Sequence, residues 1–230
     1  TGTNITEETA SYTGSVTATD VDNDATGQLR FSLDGGKSTH ADAFGTLELQ
    51  PNGSYSYTVN TTNPDLQALG VGESRTVTVN VTVTDQYGAT ETKPLSIVIN
   101  GVNDAPTLSS ISKTTAEDTE LSFAASDFTA SFADVDGNSL TTVKITQLPT
   151  EGTLYLNDTA VTVGQEIAVA SLENLTYQPD ANYAGTDTFQ WNGSDGSSYA
   201  TAAATATITV SAVNDAPTVS DSTESIPSAG

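Results

Sequence analysis

Two short segments of this 230-residue chain place aspartates one residue apart, Asp20-Val21-Asp22 and Asp134-Val135-Asp136, and two place an asparagine before an aspartate, Asn103-Asp104 and Asn214-Asp215. Adjacent acids also stand at Glu7-Glu8 and Glu117-Asp118, and single aspartates precede glycine turns at Asp85 and Asp195. Grouped carboxylates can work as an acid–base pair across a substrate cleft, or as oxygen ligands of a hard cation. The first use needs a cleft, and these acids fall at the ends of strand patterns, where none is expected. The second needs several oxygens gathered in one place. Cations to neutralise them are scarce: Lys+Arg number 6 against 29 Asp+Glu, for a net charge of -23. Two unit charges ~4 Å apart repel by about 4 kcal/mol at an effective dielectric near 20. A cation coordinated by about six to eight oxygens removes that cost, and Ca²⁺ accepts irregular carboxylate and carbonyl shells where Mg²⁺ demands a tight octahedron. Ca²⁺ is therefore the expected ion.

Much other chemistry is excluded. The chain has no Cys and one His, His40, so thiolate sites, disulfides, His-based triads and multi-His metal sites are absent. Its acidity rules out a basic surface for nucleic acid or anionic membrane. No apolar run approaches the ~20 residues of a membrane span. The chain shows no signal peptide and has no Met, and it reads as a segment of something longer. Thr and Ser number 40 and 24. β-Branched Thr suits strands, and the composition is that of a secreted all-β protein.

The acidic motifs recur in phase. Val102-Asn103-Asp104-Ala105-Pro106-Thr107 returns letter for letter as Val213-Asn214-Asp215-Ala216-Pro217-Thr218, an offset of 111. Glu7-Glu8-Thr9 is answered by Glu117-Asp118-Thr119, Asp20-Val21-Asp22 by Asp134-Val135-Asp136, and Asp85 by Asp195. Repetition at this length marks tandem domains: 1–105, 106–217, and 218–230 as the start of a following unit or a disordered tail. Between the acids the pattern is strand-like. Val77, Val79, Val81 and Val83 alternate with Thr and Asn, and Ala204, Ala206, Ile208 and Val210 alternate with Thr. In the first repeat, strands are expected at 3–7, 12–18, 27–33, 45–49, 54–59, 75–84 and 93–100, with one short helical turn near Pro64–Leu69. About seven short strands per repeat suit an immunoglobulin/cadherin-like Greek-key β-sandwich. The fold class is all-β, two such sandwiches in tandem, arranged end to end.

In that arrangement successive loops alternate between the ends of a sandwich. Glu7 and Glu73 of the first domain then face Asp134, Asp136 and Asp195 of the second, with Asn103 and Asp104 between them. These seven residues form the central candidate metal site. Asp20, Asp22 and Asp85 at one end of the chain, and Glu117, Asp118, Asp180 and Asp215 at the other, form incomplete, weaker sites. Asp24, Asp65 and Asp187 are read as solvated turn residues. His40 is read as exposed, Trp191 as core, and Tyr55 and Tyr57 as one sandwich face.

The order of acidic motifs resembles the cadherin repeat. Thr17–Asp24, Gly53-Ser54-Tyr55-Ser56-Tyr57 and Val102–Pro106 resemble, more closely, the VCBS repeats of bacterial RTX adhesins. Phe132–Gly137, Gly152-Thr153-Leu154 and Pro179–Thr186 resemble the cadherin-like repeats of the same proteins. The first Asp of the cadherin linker is Gly101 here, and the second linker Asn is missing. The resemblance implies calcium-stiffened spacer repeats of a long, secreted adhesin at a bacterial cell surface. Neighbouring repeats of the same polypeptide would be the partners, with a host or biofilm surface engaged by other domains. The pair is expected to be monomeric and without enzymatic activity. The alternative is a carbohydrate- or cell-surface-binding adhesion module of the same kind of protein.

Overall fold

The computed structural model describes residues 5–21 and 28–217. The candidate ligand Asp22, the expected strand starts at 3, 4 and 27, and the tail 218–230 lie outside them. The first repeat contains β1 (Ile5–Thr6), β2 (Ser11–Ser15), β3 (Arg30–Leu33), β4 (Thr39–Ala41), β5 (Gly45–Leu49), β6 (Ser54–Val59), α1 (Pro64–Gln67), β7 (Ser74–Thr84) and β8 (Thr90–Asn100). They form two four-stranded sheets, ordered β1-β8-β7-β3 and β2-β6-β5-β4. The long β7–β8 hairpin follows from its alternation. Val77, Val79 and Val81 face inward with Ile97 and Ile99 and join Ile5, Leu47, Leu49 and Tyr57 in one core. The intervening threonines face solvent. α1 forms where expected: Pro64 supplies a pre-set φ at its first position, and Asn63 Oδ1 accepts the Asp65 and Leu66 N–H groups at 2.9 and 3.2 Å. This turn drives the fully buried Leu66 into the core.

β4 was not expected. It pairs with β5, setting His40 opposite Leu47, so His40 is half-buried rather than exposed. The polar run Lys37-Ser38-Thr39 hides the strand because its outward residues need no apolar partner.

The second repeat contains β9 (Thr107–Leu108), β10 (Ile111–Ala116), β11 (Leu121–Ser122), α2 (Ala125–Thr129), β12 (Phe132–Ala133), β13 (Thr142–Gln147), β14 (Gly152–Leu156), β15 (Thr159–Ala160), β16 (Glu166–Ala168), β17 (Leu175–Pro179), β18 (Gly185–Ser194) and β19 (Ala204–Ser211). One sheet runs β10-β19-β18-β13-β16 and another β11-β17-β14-β15, with β12 and β9 as a separate pair. The all-β sandwich class expected from the sequence is thus the fold observed. α2 is a second helical turn that periodicity did not show. Asp127 Oδ2 holds its start by accepting the Ala124 N–H at 2.9 Å, and the same oxygen receives Lys113 Nζ at 2.7 Å. The turn buries Phe128 edge-on against Trp191, with ring centroids 5.1 Å apart. Trp191 is fully buried, the core role its parity with Phe189 indicates.

By packing, the chain divides into two compact units. Among the described residues, one comprises 5–21, 28–108, 132–142 and 193–202; the other comprises 109–131, 143–192 and 203–217. Two loops from the second repeat's sequence therefore belong to the first unit, and they carry Asp134, Asp136 and Asp195.

Candidate metal centre

The linker at 101–104 is held by backbone donors before any ion is considered. Gly101 N–H donates to the Glu73 carbonyl at 3.0 Å. Val102 N–H donates to Glu7 Oε1 at 2.5 Å, and Asp104 N–H to Asp136 Oδ2 at 2.8 Å. Gly101 is required by this route: a Cβ there would stand 2.0 Å from the Leu69 carbonyl oxygen and 2.3 Å from that of Gly70. This close approach is why position 101 is a glycine. Gly101→Ala should lower unfolding free energy by about 1–3 kcal/mol through forced backbone displacement. A urea midpoint unchanged by the substitution would contradict that close approach.

The carboxylates that hold the linker use one oxygen and leave the other bare. Glu7 is fully buried, and its Oε2 has no hydrogen-bond partner among the described residues. Asp136 Oδ1 is likewise buried and unpartnered while its Oδ2 holds Asp104. Asp134 Oδ1 accepts the Asp136 and Asn138 N–H groups at 3.0 and 3.2 Å, a turn that Gly137 completes at φ 76°, and its Oδ2 is orphaned. The fourth orphan is Asp104 Oδ2. Desolvation and then the charges of Asp136, Glu8, Glu7 and Asp134 push the Asp104 carboxyl above the usual carboxylate range. Asp104 and Asp134 also line one surface hollow with Ala105 and Val135. Glu8, missed as a candidate, belongs to this acidic surround and accepts Gln67 Nε2 at 3.3 Å.

Asp195 differs. Its Oδ1 accepts the Ser197 and Ser198 N–H groups at 2.5 and 2.7 Å, and its Oδ2 accepts Asn103 Nδ2 at 3.0 Å and Ser198 Oγ at 3.2 Å. Desolvation opposes its ionisation, but these hydrogen bonds outweigh that and hold its carboxyl below the usual range. Glu73 reaches the linker through its backbone alone; its side chain is exposed.

Among the described residues no three acidic or histidine side chains converge as a ready-formed metal cage. What the structure brings together is a set of buried carboxylate oxygens without donors, the chemistry a hard cation completes. Glu7, Asp104, Asp134 and Asp136 fit that test; Asp195 and the Glu73 side chain do not contribute orphan oxygens.

At the chain's ends the candidates fall into partial groups. Asp20 and Asp85 line one hollow, and Asp85 Oδ1 accepts the Tyr87 and Ala89 N–H groups at 2.9 and 2.8 Å. Glu117 is buried and its Oε1 accepts the Val213 N–H, repeating the Glu7–Val102 bond. Asp118 Oδ1 accepts the Asn182 N–H at 3.1 Å; Asp180 and Asp215 are exposed.

Comparison with known proteins bears on this arrangement. Residues 102–211 match the cadherin-like domain. That span opens at the linker valine and closes at the end of β19. Human CDH23 EC21-23 has the same fold over 90% of this chain and 70% of its own, at 17% identity and a TM-score of 0.51. Human protocadherin-24 EC1-2 aligns over 89% of this chain and 88% of its own, at 14% identity and a TM-score of 0.48. An endo-fucoidan hydrolase of glycoside hydrolase family 107 aligns over 81% of this chain at 16% identity and a TM-score of 0.32; the chain spans 24% of that hydrolase. No curated protein sequence matches. The cadherin-like likeness is one of fold, and no described helix is long and apolar enough to cross a membrane.

Proposed function

We propose that the chain is a pair of spacer repeats, 1–105 and 106–217, from a large secreted bacterial cell-surface adhesin, and that Ca²⁺ bound at the linker stiffens it. The observation that carries this reading is the set of four buried, donorless carboxylate oxygens on Glu7, Asp104, Asp134 and Asp136. Ca²⁺ there would neutralise charges that otherwise repel, and the chain's own residues would hold it. Glu7 belongs to the first repeat, Asp104 to the linker, and Asp134 and Asp136 to a loop of the second. A shared ion would therefore tie three stretches of chain together. Neighbouring repeats of the same polypeptide are the partners this implies, and no catalytic group is assigned. Small-angle scattering tests the role. Millimolar Ca²⁺ should give one extended length of roughly two domains, matching the about 10⁻⁴–10⁻³ M affinity of extracellular modules. Chelator should broaden it, and a profile indifferent to chelator would remove the stiffening role.

The same geometry sets a pH dependence without calcium. A carboxyl raised in the folded state contributes stability fully below its unfolded pKa and loses it as pH rises through the raised value. Asp104 should therefore make the chelated protein less stable as pH climbs above 3.8. Asp195 runs the other way: its contribution is present above the unfolded value and is lost as pH falls through its lowered pKa. Carboxyl-carbon NMR in chelator should place the Asp104 midpoint above 3.8, and calcium should move it downward. A chelated midpoint at or below 3.8 would contradict the crowding of charge around it.

A further inference from the structure

We propose that Asp195 and Ser198 form a cation-independent latch on the linker, so that Asp195 is a positioning residue and not an ion ligand. Both Asp195 oxygens are already occupied: one by the Ser197 and Ser198 backbone, the other by Asn103 Nδ2 and the Ser198 hydroxyl. Ser198 Oγ in turn accepts a second approach from Asn103 Nδ2 at 3.0 Å, closing a triangle of three side chains. The Asn103 amide also donates to the Asp104 carbonyl at 2.7 Å, which fixes the backbone from which the Asp104 carboxylate projects. Charge-assisted bonds of this kind are stronger than neutral ones.

The chain supplies its own control. The repeated Asn214-Asp215 keeps the bond within the motif, Asn214 Nδ2 to the Asp215 carbonyl at 3.2 Å, and Asn214 is exposed. The local bond is thus intrinsic to the Asn-Asp pair, whereas the bonds to Asp195 and Ser198 are what the 193–202 loop adds at 103. Such a latch orders the linker in advance, so that less ordering remains when a cation binds.

The inference rests on the calcium reading only for its affinity arm; the chelator arm stands without it. In chelator, hydrogen exchange at the Asn103 and Asp104 amides should quicken about tenfold in Asp195→Ala, and less in Ser198→Ala, from the loss of hydrogen bonds. With calcium, titration calorimetry should show weaker binding in Asp195→Ala at an unchanged number of ions. Ser198→Ala keeps every carboxylate, so its effect in chelator cannot come from losing a ligand, and it serves if Asp195→Ala fails to fold. A role confined to the hairpin would quicken exchange at Ser197 and Ser198 while leaving Asn103 and Asp104 untouched, and would overturn the latch. One fewer bound ion in Asp195→Ala, with chelated linker exchange unchanged, would instead make Asp195 a ligand.

Discussion

Asp104→Ala and Asp134→Ala should each abolish most of the calcium-dependent gain in stability that the unsubstituted protein shows. For one site the gain is RT ln(1 + [L]/Kd), about 2.7 kcal/mol at a hundredfold excess over Kd. Removing one of four orphan oxygens lowers affinity and with it that gain. The sign in chelator is the informative part. Desolvation and four neighbouring carboxylates oppose ionisation of Asp104, so without calcium Asp104→Ala should be neutral or stabilising. Glu173 is exposed, and Glu173→Ala should behave like the parent in both conditions. Scanning calorimetry with and without calcium reads all three. An Asp104→Ala protein destabilised equally in both conditions would make Asp104 a folding residue and not a ligand.

Asp187→Ala should lower the stability of the second repeat by about 3 kcal/mol, through groups left buried without partners. Asp187 is 3% exposed. Its carboxylate accepts the Thr150 and Glu151 N–H groups at 3.0 and 2.9 Å and the Tyr177 hydroxyl at 2.8 Å. Those donors fix the turn that leads into β14, where Gly152 leaves room for the Tyr177 ring. The first repeat solves the same problem differently. Gly45 faces Tyr57 in the same way, Val77 stands where Asp187 does in the hairpin register, and Asp42 Oδ1 caps the turn from within, accepting the Phe44 and Gly45 N–H groups at 2.8 and 3.0 Å. Urea unfolding followed at Trp191 measures the effect. A loss below about 1 kcal/mol would mean those donors find water, and the buried network would carry little weight.

The contrast between Asp187 and its neighbours marks what the sequence could show. Strands at 45–49 and 54–59 coincide with Gly45–Leu49 and Ser54–Val59, and 75–84 differs from Ser74–Thr84 by one residue. Period-two alternation with a buried face leaves little freedom there. From sequence Asp187 reads as a turn residue because a carboxylate inside β18 looks like a break in the apolar pattern; its justification is three donors distant in sequence. α2 escaped notice because a five-residue turn is too short for helical periodicity, and only Phe128 betrays it. At the candidate centre the recurring acids were legible as a group, since phase and order repeat. Their division of labour was not. Whether an oxygen holds backbone, faces Asn103 or stays bare depends on rotamer and loop path, so the sequence does not point to Glu8 or Ser198 and does not show that both Asp195 oxygens accept hydrogen bonds.

Crystals grown with millimolar calcium provide the most direct test, through metal density at the linker. Such density should lie about 2.3–2.6 Å from oxygens of Glu7, Asp104, Asp134 and Asp136, with Asp195 still bonded to Asn103 and Ser198. Calcium found only elsewhere, or no density beside these four carboxylates at saturating calcium, would contradict a cation held at the linker.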